Sequence, residues 1–218
     1  MLEKDKEKIC SLLPNTRLYN FYGSTESGCT CIYNFNTENT KPNCIGKPTH
    51  NTTLLIVDDD RKELLSSKSS TGLLATKGAM NMVEYFEDET ETNQVMADGI
   101  IYSNDIGYVD TDGDVILLGR KGDVINVGGN KVSPEEIENA AKTMIGIADC
   151  GCIPVPDSSK GQIPKLFVQM ADGEEFNPIA IRGFPAQKLE PYKVPAIIEQ
   201  IAVIPRSYNG KLLREELK

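Results

Sequence analysis

The segment at residues 20–26, Asn-Phe-Tyr-Gly-Ser-Thr-Glu, combines the end of an apolar strand with groups that bind phosphate. Backbone N–H groups and hydroxyls at Gly23, Ser24 and Thr25 could contact phosphate oxygens. The carboxylate of Glu26 could hold a phosphate-bound magnesium ion. A solvated loop can contain the same residue types, so this segment alone leaves both interpretations open.

Three later segments also contain polar groups that packing does not require. Asp105, at the edge of a predicted strand, could accept two hydrogen bonds from the vicinal diol of a ribose, or cap a turn. Residues 119–131 place four glycines around one apolar strand. The glycines could allow close approach of a ligand and a hinge at Gly122, or they could simply form the turns of a hairpin. Lys211, after Asn-Gly, could deliver an ammonium to a developing oxyanion or be an ordinary surface lysine.

The composition excludes several classes of function. The 218-residue chain has 23 Lys and Arg against 32 Asp and Glu, a net charge of −9, which argues against a nucleic-acid partner. No segment approaches the roughly 20 continuous apolar residues that span a bilayer, and residues 1–8 are charged rather than leader-like. We therefore expect a cytoplasmic protein without a membrane span.

The six cysteines are expected to be reduced, because a chain of this length can fold without disulfides. Cys29, Cys31, Cys44 and His50 have the right ligand types for zinc, but their spacing matches no standard site. Small residues in a core or loop are the favoured interpretation.

The first half of the chain predicts a short helix followed by a small antiparallel sheet. Residues 2–13 have helical spacing of apolar residues before Pro14, residues 17–22 read as a strand, and the polar residues 34–51 read as loop. Later strands are predicted at residues 54–57, 72–76, 100–103, 106–109, 115–118 and 124–127, with Asp-Gly turns, as in a small barrel or sandwich. Residues 110–114 have some of the acidic spacing of a calcium loop, but a hairpin turn is favoured.

The second half alternates strands and helices. Ser133, Pro134 and Glu136 predict a helix start with a capping box, and residues 152–155, 165–170 and 196–204 read as strands. A helix over residues 177–189 should break near Gly183 and Pro185. We predict an α+β chain with domains at residues 1–120 and 121–218.

Taken together and in order, these segments resemble motifs of the adenylate-forming superfamily, which includes acyl-CoA synthetases of fatty acid metabolism. Tyr22-Gly-Ser-Thr-Glu26 is similar to its Tyr-Gly-x-Thr-Glu motif. Residues 103–108 are similar to its nucleotide-ribose motif, residues 119–138 to its hinge and following helix, and residues 205–214 to its terminal lysine motif. The resemblance implies that residues 1–120 are the C-terminal part of the AMP-binding large domain, with a barrel-like subdomain, and that residues 121–218 are the small C-terminal domain.

The resemblance also implies a role for each motif residue. Tyr22 would stack on adenine with Asn20 at its edge, Thr25 would touch the phosphates, and Glu26 would hold Mg²⁺. Asp105 and Arg120 would bind the ribose hydroxyls of ATP or AMP, and Lys211 would stabilise the transition state of adenylation. Gly128 and Gly129 would line the passage for coenzyme A, which receives the acyl group of the carboxylic acid substrate.

Two departures from the family pattern bear on activity. The hinge has Gly122 where the family commonly has Asp or Lys, and only about twenty residues precede Tyr22, where the family has its phosphate loop. We therefore expect the chain alone to be inactive, as the C-terminal part of an acid–CoA ligase. The alternatives are an adenylation domain that delivers to a carrier protein and a non-catalytic nucleotide-binding or interaction module.

Overall fold

Antiparallel sheet accounts for most of the regular structure in residues 3–36 and 41–217, the part of the chain that this computed structural model describes. The predicted α+β class is confirmed. The chain divides into two units, Met1–Leu117 and Leu118–Lys218, and each has its own sheet and core. Within the described residues, none of the helices has the length and apolar character needed to cross a bilayer.

The first unit begins with helix α1 at Glu3–Leu12, close to the predicted helix, whose Leu2 lies outside the described residues. Strands β1 (Tyr19–Ser24) and β2 (Gly28–Asn34) form a hairpin, so part of the expected glycine-serine loop is strand. The loop predicted over residues 34–51, of which residues 37–40 lie outside the described part, is wrong at β3 (Cys44–Pro48). Pairing with β2 stabilises β3 despite its weak local pattern, and Gly46 is required there: its φ is +89°, and a Cβ would lie 1.9 Å from the carbonyl oxygen of Ile32.

The remaining strands of this unit match the predicted apolar runs, except for β6, which was not predicted. They are β4 (Thr52–Val57), β5 (Gly72–Gly78), β6 (Met96–Ala97), β7 (Ile100–Val109) and β8 (Val115–Arg120). The two strands predicted at residues 100–109 are one continuous strand, and helix α2 (Glu89–Val95) was not predicted. Asp98 and Gly99 both have positive φ, as the tight turn between β6 and β7 requires.

The first sheet has the strand order β1-β2-β3-β8-β7-β5-β4, with β6 paired to β7. It curls around one core, because side chains from five of its strands pack into a single buried cluster, made of Cys31, Ile45, Ile56, Leu74 and Val115. Tyr22, on β1, packs against the same cluster. The core therefore fixes where the β1 side chains lie relative to β7, which is the relationship that matters for the site.

Residues 110–114 form the predicted hairpin turn between β7 and β8, and one lysine partly offsets its negative charge. The ammonium of Lys41 lies 2.6, 2.7 and 2.6 Å from carboxylate oxygens of Asp110, Asp112 and Asp114. These three carboxylates are the only group of three or more metal-type ligand atoms within 4.8 Å of one another among residues 3–36 and 41–217. An ammonium thus takes the place that a cation would have in a calcium loop.

The second unit has a five-stranded sheet with helices against it. Its elements are β9 (Ile125–Val127), β10 (Asn130–Val132), α3 (Pro134–Lys142), β11 (Ile147–Asp157), β12 (Gly161–Met170), α4 (Pro178–Gly183) and β13 (Ile197–Gln200). The order is β10-β9-β12-β11, and β13 pairs in parallel with β12. The helix break is confirmed, since α4 ends at Gly183 and a 3₁₀ turn follows at Pro185–Gln187.

Strand β10 was not predicted, β11 begins five residues before the predicted strand, and two further details of the second unit differ from prediction. The last strand is shorter than residues 196–204, because only Ile197–Gln200 pair with β12. The capping box at α3 is wrong: Ser133 is the N-cap but makes no side-chain cap hydrogen bond, and Glu136 accepts from Lys193 instead, at 2.7 Å. The Glu136 carboxylate, which the local sequence pattern assigned to the cap, forms a tertiary ion pair with Lys193.

All six cysteines are free. Burial raises the pKa of the Cys31 and Cys150 thiols to about 12 in each case. These two thiols are therefore protonated at neutral pH and act as small apolar core residues.

Candidate functional site

The Tyr22 hydroxyl and the Asp105 carboxylate lie side by side in the first unit. The hydroxyl donates a hydrogen bond to Oδ2 of Asp105 at 2.5 Å, although 83 residues separate the two in the sequence. Burial, the hydrogen bond to Asp105 and the negative charge of Asp105 all raise the pKa of Tyr22 far above its ordinary value. Tyr22 is consequently a permanent donor to Asp105, which orients that carboxylate.

The local sequence explains why Tyr22 faces this way. Side chains alternate along β1, and exposed Tyr19 and Phe21 occupy one face while half-buried Asn20 and Tyr22 occupy the other. Asn20 therefore lies on the same face of the strand as Tyr22. This places the two residues predicted to contact a base beside each other.

The strand ends in a tight corner that only glycine permits. The register of β1 and β2 shifts between Tyr22 and Gly23, and a Cβ on Gly23 would lie 1.8 Å from the carbonyl oxygen of Gly28. The hydroxyl of Ser24 accepts the Ser27 N–H at 3.2 Å and pairs with the Ser27 hydroxyl at 3.1 Å. The Ser24 hydroxyl thus stabilises the corner through these hydrogen bonds, whereas Thr25 is exposed at the turn.

Glu26 lies at this corner and has a partner that the sequence did not indicate. The hydroxyl of Tyr85 donates to Oε1 of Glu26 at 2.7 Å, and the Met82 N–H donates to the Glu26 carbonyl at 2.6 Å. The hydrogen bond to Glu26 is the main cause that raises the pKa of Tyr85 to about 12. Tyr85 lies in an irregular segment 59 residues away, where no local pattern marks it.

Tyr85 is itself anchored to helix α2. Its N–H donates to the hydroxyl of Thr92 at 2.9 Å, and that buried hydroxyl donates to the carbonyl of Asp88 at 2.7 Å. Helix α2 therefore positions the segment that holds Glu26, which gives this unpredicted helix a role in the site.

The other predicted residues belong to the second unit. Arg120 ends β8, and its carbonyl accepts the N–H groups of Asp123 and Val124 in a tight turn. Gly128 and Gly129 form the turn between β9 and β10 with φ of +58° and +92°. Their amides are already bonded, to the Lys160 carbonyl at 2.8 Å and to Oδ1 of Asn126 at 3.0 Å.

Lys211 ends a compact turn at residues 207–211. The Ser207 N–H donates to the Lys211 carbonyl, the Lys211 N–H donates to the Ser207 hydroxyl, and Gly210 has a φ of +79°. The Lys211 side chain is exposed. The turn presents an ammonium at the surface, as the Asn-Gly-Lys sequence predicts.

The structure thus brings together Asn20, Tyr22 and Asp105, and places Gly23, Ser24, Thr25 and Glu26 at the corner that follows them. This arrangement offers an aromatic ring beside an oriented carboxylate, with hydroxyls and a second carboxylate a few residues on. It is chemically suited to a base, a diol, phosphates and a divalent cation. Arg120, Gly128, Gly129 and Lys211 are positioned by the second unit, and their roles remain predictions.

Two family models match the chain in succession. A model described as AMP-binding enzyme matches residues 3–86, and a model described as AMP-binding enzyme C-terminal domain matches residues 136–211. Tyr22, Glu26 and Tyr85 lie within the first match and Lys211 within the second.

Several known proteins are similar to the chain over most of its length. A long-chain-fatty-acid–CoA ligase of Bacillus subtilis is 32% identical over 201 residues, 92% of this chain and 36% of the relative. A fatty acid–acyl-carrier-protein ligase of Streptomyces coeruleorubidus is 36% identical over 163 residues, 75% of this chain and 31% of the relative. The chain therefore spans about a third of the length of these relatives.

The fold is shared with a solved structure. The o-succinylbenzoate–CoA synthetase of Bacillus subtilis, in complex with its acyl-adenylate intermediate, has a TM-score of 0.85 and 24% identity to this chain, and the match covers 100% of this chain and 44% of that one.

Proposed function

The chain belongs to the adenylate-forming superfamily of AMP-binding enzymes, and we propose that it takes part in joining a carboxylic acid to coenzyme A at the expense of ATP. In the first half-reaction a carboxylate oxygen attacks the α-phosphorus of ATP, and an acyl-adenylate forms as pyrophosphate leaves. In the second, the thiol sulfur of coenzyme A attacks the acyl carbon and AMP leaves. We place the reaction in the cytoplasm, where ATP and coenzyme A are available.

The single observation that carries this proposal is the contact between Tyr22 and Asp105. Two motifs that are far apart in the sequence meet at a hydrogen bond, beside an open corner lined by Thr25 and Glu26. A purine could stack on the Tyr22 ring while Asp105 accepts hydrogen bonds from the ribose hydroxyls. Arg120 is proposed to assist Asp105 with the ribose.

Magnesium fits the corner through Glu26, whose carboxylate is half-buried and is held on one oxygen by the Tyr85 hydroxyl. Carboxylate and phosphate oxygens are the ligands that Mg²⁺ prefers. When bound, the ion neutralises charge on the phosphates and on the leaving pyrophosphate. The exposed hydroxyl of Thr25 is available to the same phosphates, and Glu26 is the residue we propose to hold the metal.

Lys211 is proposed to supply a positive charge to the adenylation transition state. Negative charge develops on the phosphate oxygens as the acid attacks. A preorganised ammonium therefore stabilises the transition state more than the ground state. Gly128 and Gly129 are proposed to admit the pantetheine arm of coenzyme A. Open space surrounds both glycines, since a Cβ added at either would meet nothing within 4 Å.

We propose that the 218 residues alone do not complete the reaction. They span about a third of the length of the relatives named above, and they contain no Walker-type phosphate loop. Catalysis needs all reacting groups positioned together. Incubating the purified chain with ATP, Mg²⁺ and a panel of carboxylic acids should release no pyrophosphate above background, and release above background would contradict this part of the proposal.

Nucleotide binding by the chain itself is the direct test of the site. Calorimetry with AMP and with a nonhydrolysable acyl-adenylate should give heat with the wild-type chain and a markedly weaker response with Asp105→Asn. Asp60→Asn, which alters an exposed carboxylate in the turn after β4, is the matched control and should bind like wild type. A chain that gives no heat with either ligand would be a non-catalytic interaction module instead.

A carrier protein is the second candidate acceptor, because one of the relatives is named as a ligase for an acyl-carrier protein. The two acceptors can be compared in a hybrid enzyme, in which this chain replaces the aligned segment of the Bacillus subtilis long-chain ligase. We expect acyl transfer to coenzyme A in preference to a phosphopantetheinylated carrier protein, since Gly-Gly-Asn-Lys-Val-Ser-Pro at residues 128–134 resembles the coenzyme A ligases. Preferential transfer to the carrier would reverse the assignment.

A further inference from the structure

The turn that presents Lys211 is held from outside by one guanidinium. Arg206 Nε and Nη2 donate to the two carboxylate oxygens of Asp149 at 2.5 and 2.8 Å. The third nitrogen, Nη1, donates to the carbonyl oxygen of Gly210 at 2.9 Å. That carbonyl belongs to the peptide bond between Gly210 and Lys211, so Arg206 joins this peptide directly to Asp149.

Asp149 is a firm attachment point for this guanidinium. It lies near the start of β11, where that strand is paired with β12, and it also receives the ammonium of Lys142 at 2.8 Å. Burial opposes its ionisation, but the hydrogen bonds from Arg206 and Lys142 outweigh burial and lower the pKa of Asp149 to about 2. The carboxylate is therefore charged at neutral pH and can bind Arg206 in the bidentate geometry that guanidinium favours.

The chain after Lys211 is anchored separately. Leu212 and Leu217 pack with buried Phe167 and Ile204. Arg214 Nη2 donates to Oε1 of buried Glu138 at 2.9 Å. Downstream anchoring by packing and an ion pair does not fix the orientation of the Gly210–Lys211 peptide, because it acts beyond the turn. Two contacts act on that peptide: its N–H donates to the Ser207 hydroxyl within the turn, and Arg206 binds its carbonyl oxygen from outside the turn.

We propose that Arg206 and Asp149 are positioning residues for Lys211: the guanidinium, aligned by the Asp149 carboxylate, fixes the Gly210–Lys211 peptide and so directs the lysine ammonium for adenylation. The inference rests on the proposed function, because that function gives Lys211 its importance. A simple surface ion pair would need only the two bonds between Arg206 and Asp149. The third bond, to the turn, is what distinguishes positioning from ordinary stabilisation.

Hydrogen–deuterium exchange on the 218-residue chain tests the bracing without any assay of activity. Arg206→Lys and Asp149→Asn should raise exchange of the amides at residues 207–211 by about tenfold or more, with exchange in β12 unchanged. Lys142→Gln is the matched control, because it removes a partner of Asp149 and leaves the Arg206 contacts in place; it should leave the turn protected.

An exchanged pair separates positioning from stability. Asp149→Arg combined with Arg206→Asp restores opposite charges across the contact, but aspartate cannot donate to the Gly210 carbonyl. We expect this double variant to melt at a higher temperature than Asp149→Arg or Arg206→Asp alone, while the amides at residues 207–211 still exchange rapidly. Restored protection of the turn, or unchanged protection in Arg206→Lys and Asp149→Asn, would overturn the bracing.

The hybrid enzyme tests the consequence for chemistry. Arg206→Lys should lower kcat for acyl-adenylate formation by about tenfold or more, with KM for ATP nearly unchanged, and Lys142→Gln should lower neither. A mobile turn in Arg206→Lys with a wild-type kcat would overturn the positioning role. If instead the wild-type chain fails to bind nucleotide, the proposed function fails while the exchange result stands on its own.

Discussion

The hydroxyl of Tyr22 donates to Oδ2 of Asp105 at 2.5 Å, which makes one aromatic residue both a flat surface and the orienting partner of a carboxylate. The first sheet creates this relationship, because it brings the Tyr22 side chain of β1 to the Asp105 side chain of β7. The two roles of Tyr22 can be separated by mutation.

Tyr22→Phe should keep the ring and lose the hydrogen bond. A hydrogen bond to a charged group is worth about 1.5–3 kcal/mol, so we expect AMP affinity to fall about tenfold as Asp105 loses this orienting contact. Tyr22→Ala should reduce affinity further by removing the stacking surface. Calorimetry with AMP measures both, and equal affinities for wild type and Tyr22→Phe would show that Asp105 needs no orientation by the phenol.

Glu26→Gln should remove the magnesium dependence of nucleotide binding. We expect Mg²⁺ to strengthen ATP binding to the wild-type chain and to have little effect on Glu26→Gln, while AMP affinity without metal stays the same in both. Tyr85→Phe should give a smaller loss, because Glu26 keeps its charge and loses one donor. Calorimetric titrations of ATP with and without Mg²⁺ make the comparison. Full magnesium dependence of ATP binding in Glu26→Gln would show that Glu26 does not bind the metal.

Lys211→Ala in the hybrid enzyme should impair the two half-reactions unequally. Loss of one preorganised charge typically costs about 10²–10³ in rate, and we expect that loss in acyl-adenylate formation. Thioester formation from supplied acyl-adenylate should change far less, because in that step the thiol attacks the acyl carbon and the α-phosphorus is not attacked. Rapid-quench measurements of each step decide the matter, and equal losses in both would refute the role given to Lys211.

Glu138 predicts a pH dependence of stability in the second unit. Burial, only partly offset by Arg214 and by the Cys152 N–H, raises the pKa of Glu138 to about 7 from an ordinary value of 4.5, and Glu135 adds to the rise while Lys142 opposes it. A raised pKa means that the folded state binds the proton more tightly. The stabilisation is therefore fully present below about pH 4.5 and is lost as the pH rises through about 7, by about 3 kcal/mol at most.

The Glu138→Gln variant isolates this contribution. Its free energy of unfolding, measured with denaturant from pH 4.5 to 8, should fall less steeply with rising pH than that of the wild type, since glutamine does not titrate. The comparison between the two proteins cancels the effect of the other titrating groups. Parallel curves would mean that Glu138 keeps an ordinary pKa despite its burial.

Local patterns predicted most elements correctly, and the exceptions have physical causes. Strands at residues 54–57 and 115–118 are recognisable because their apolar runs and turns are local signals. Strand β3 was missed because its stability comes from pairing with β2 and β8, which are distant in the sequence. Ser133 marks the start of α3, but its capping box failed because Lys193 binds Glu136.

The amino-acid sequence by itself determined the family and the candidate residues, because motifs such as Tyr22-Gly-Ser-Thr-Glu26 are short, contiguous and ordered along the chain. The tertiary structure alone decided which partners those residues have. Tyr85 contacts Glu26 across 59 residues of sequence, and Tyr22 contacts Asp105 across 83. Arg206, which holds the Lys211 turn, contacts Asp149 across 57 residues. Such contacts depend on how sheets curl and pack, and packing is a property of the whole unit that no local spacing encodes.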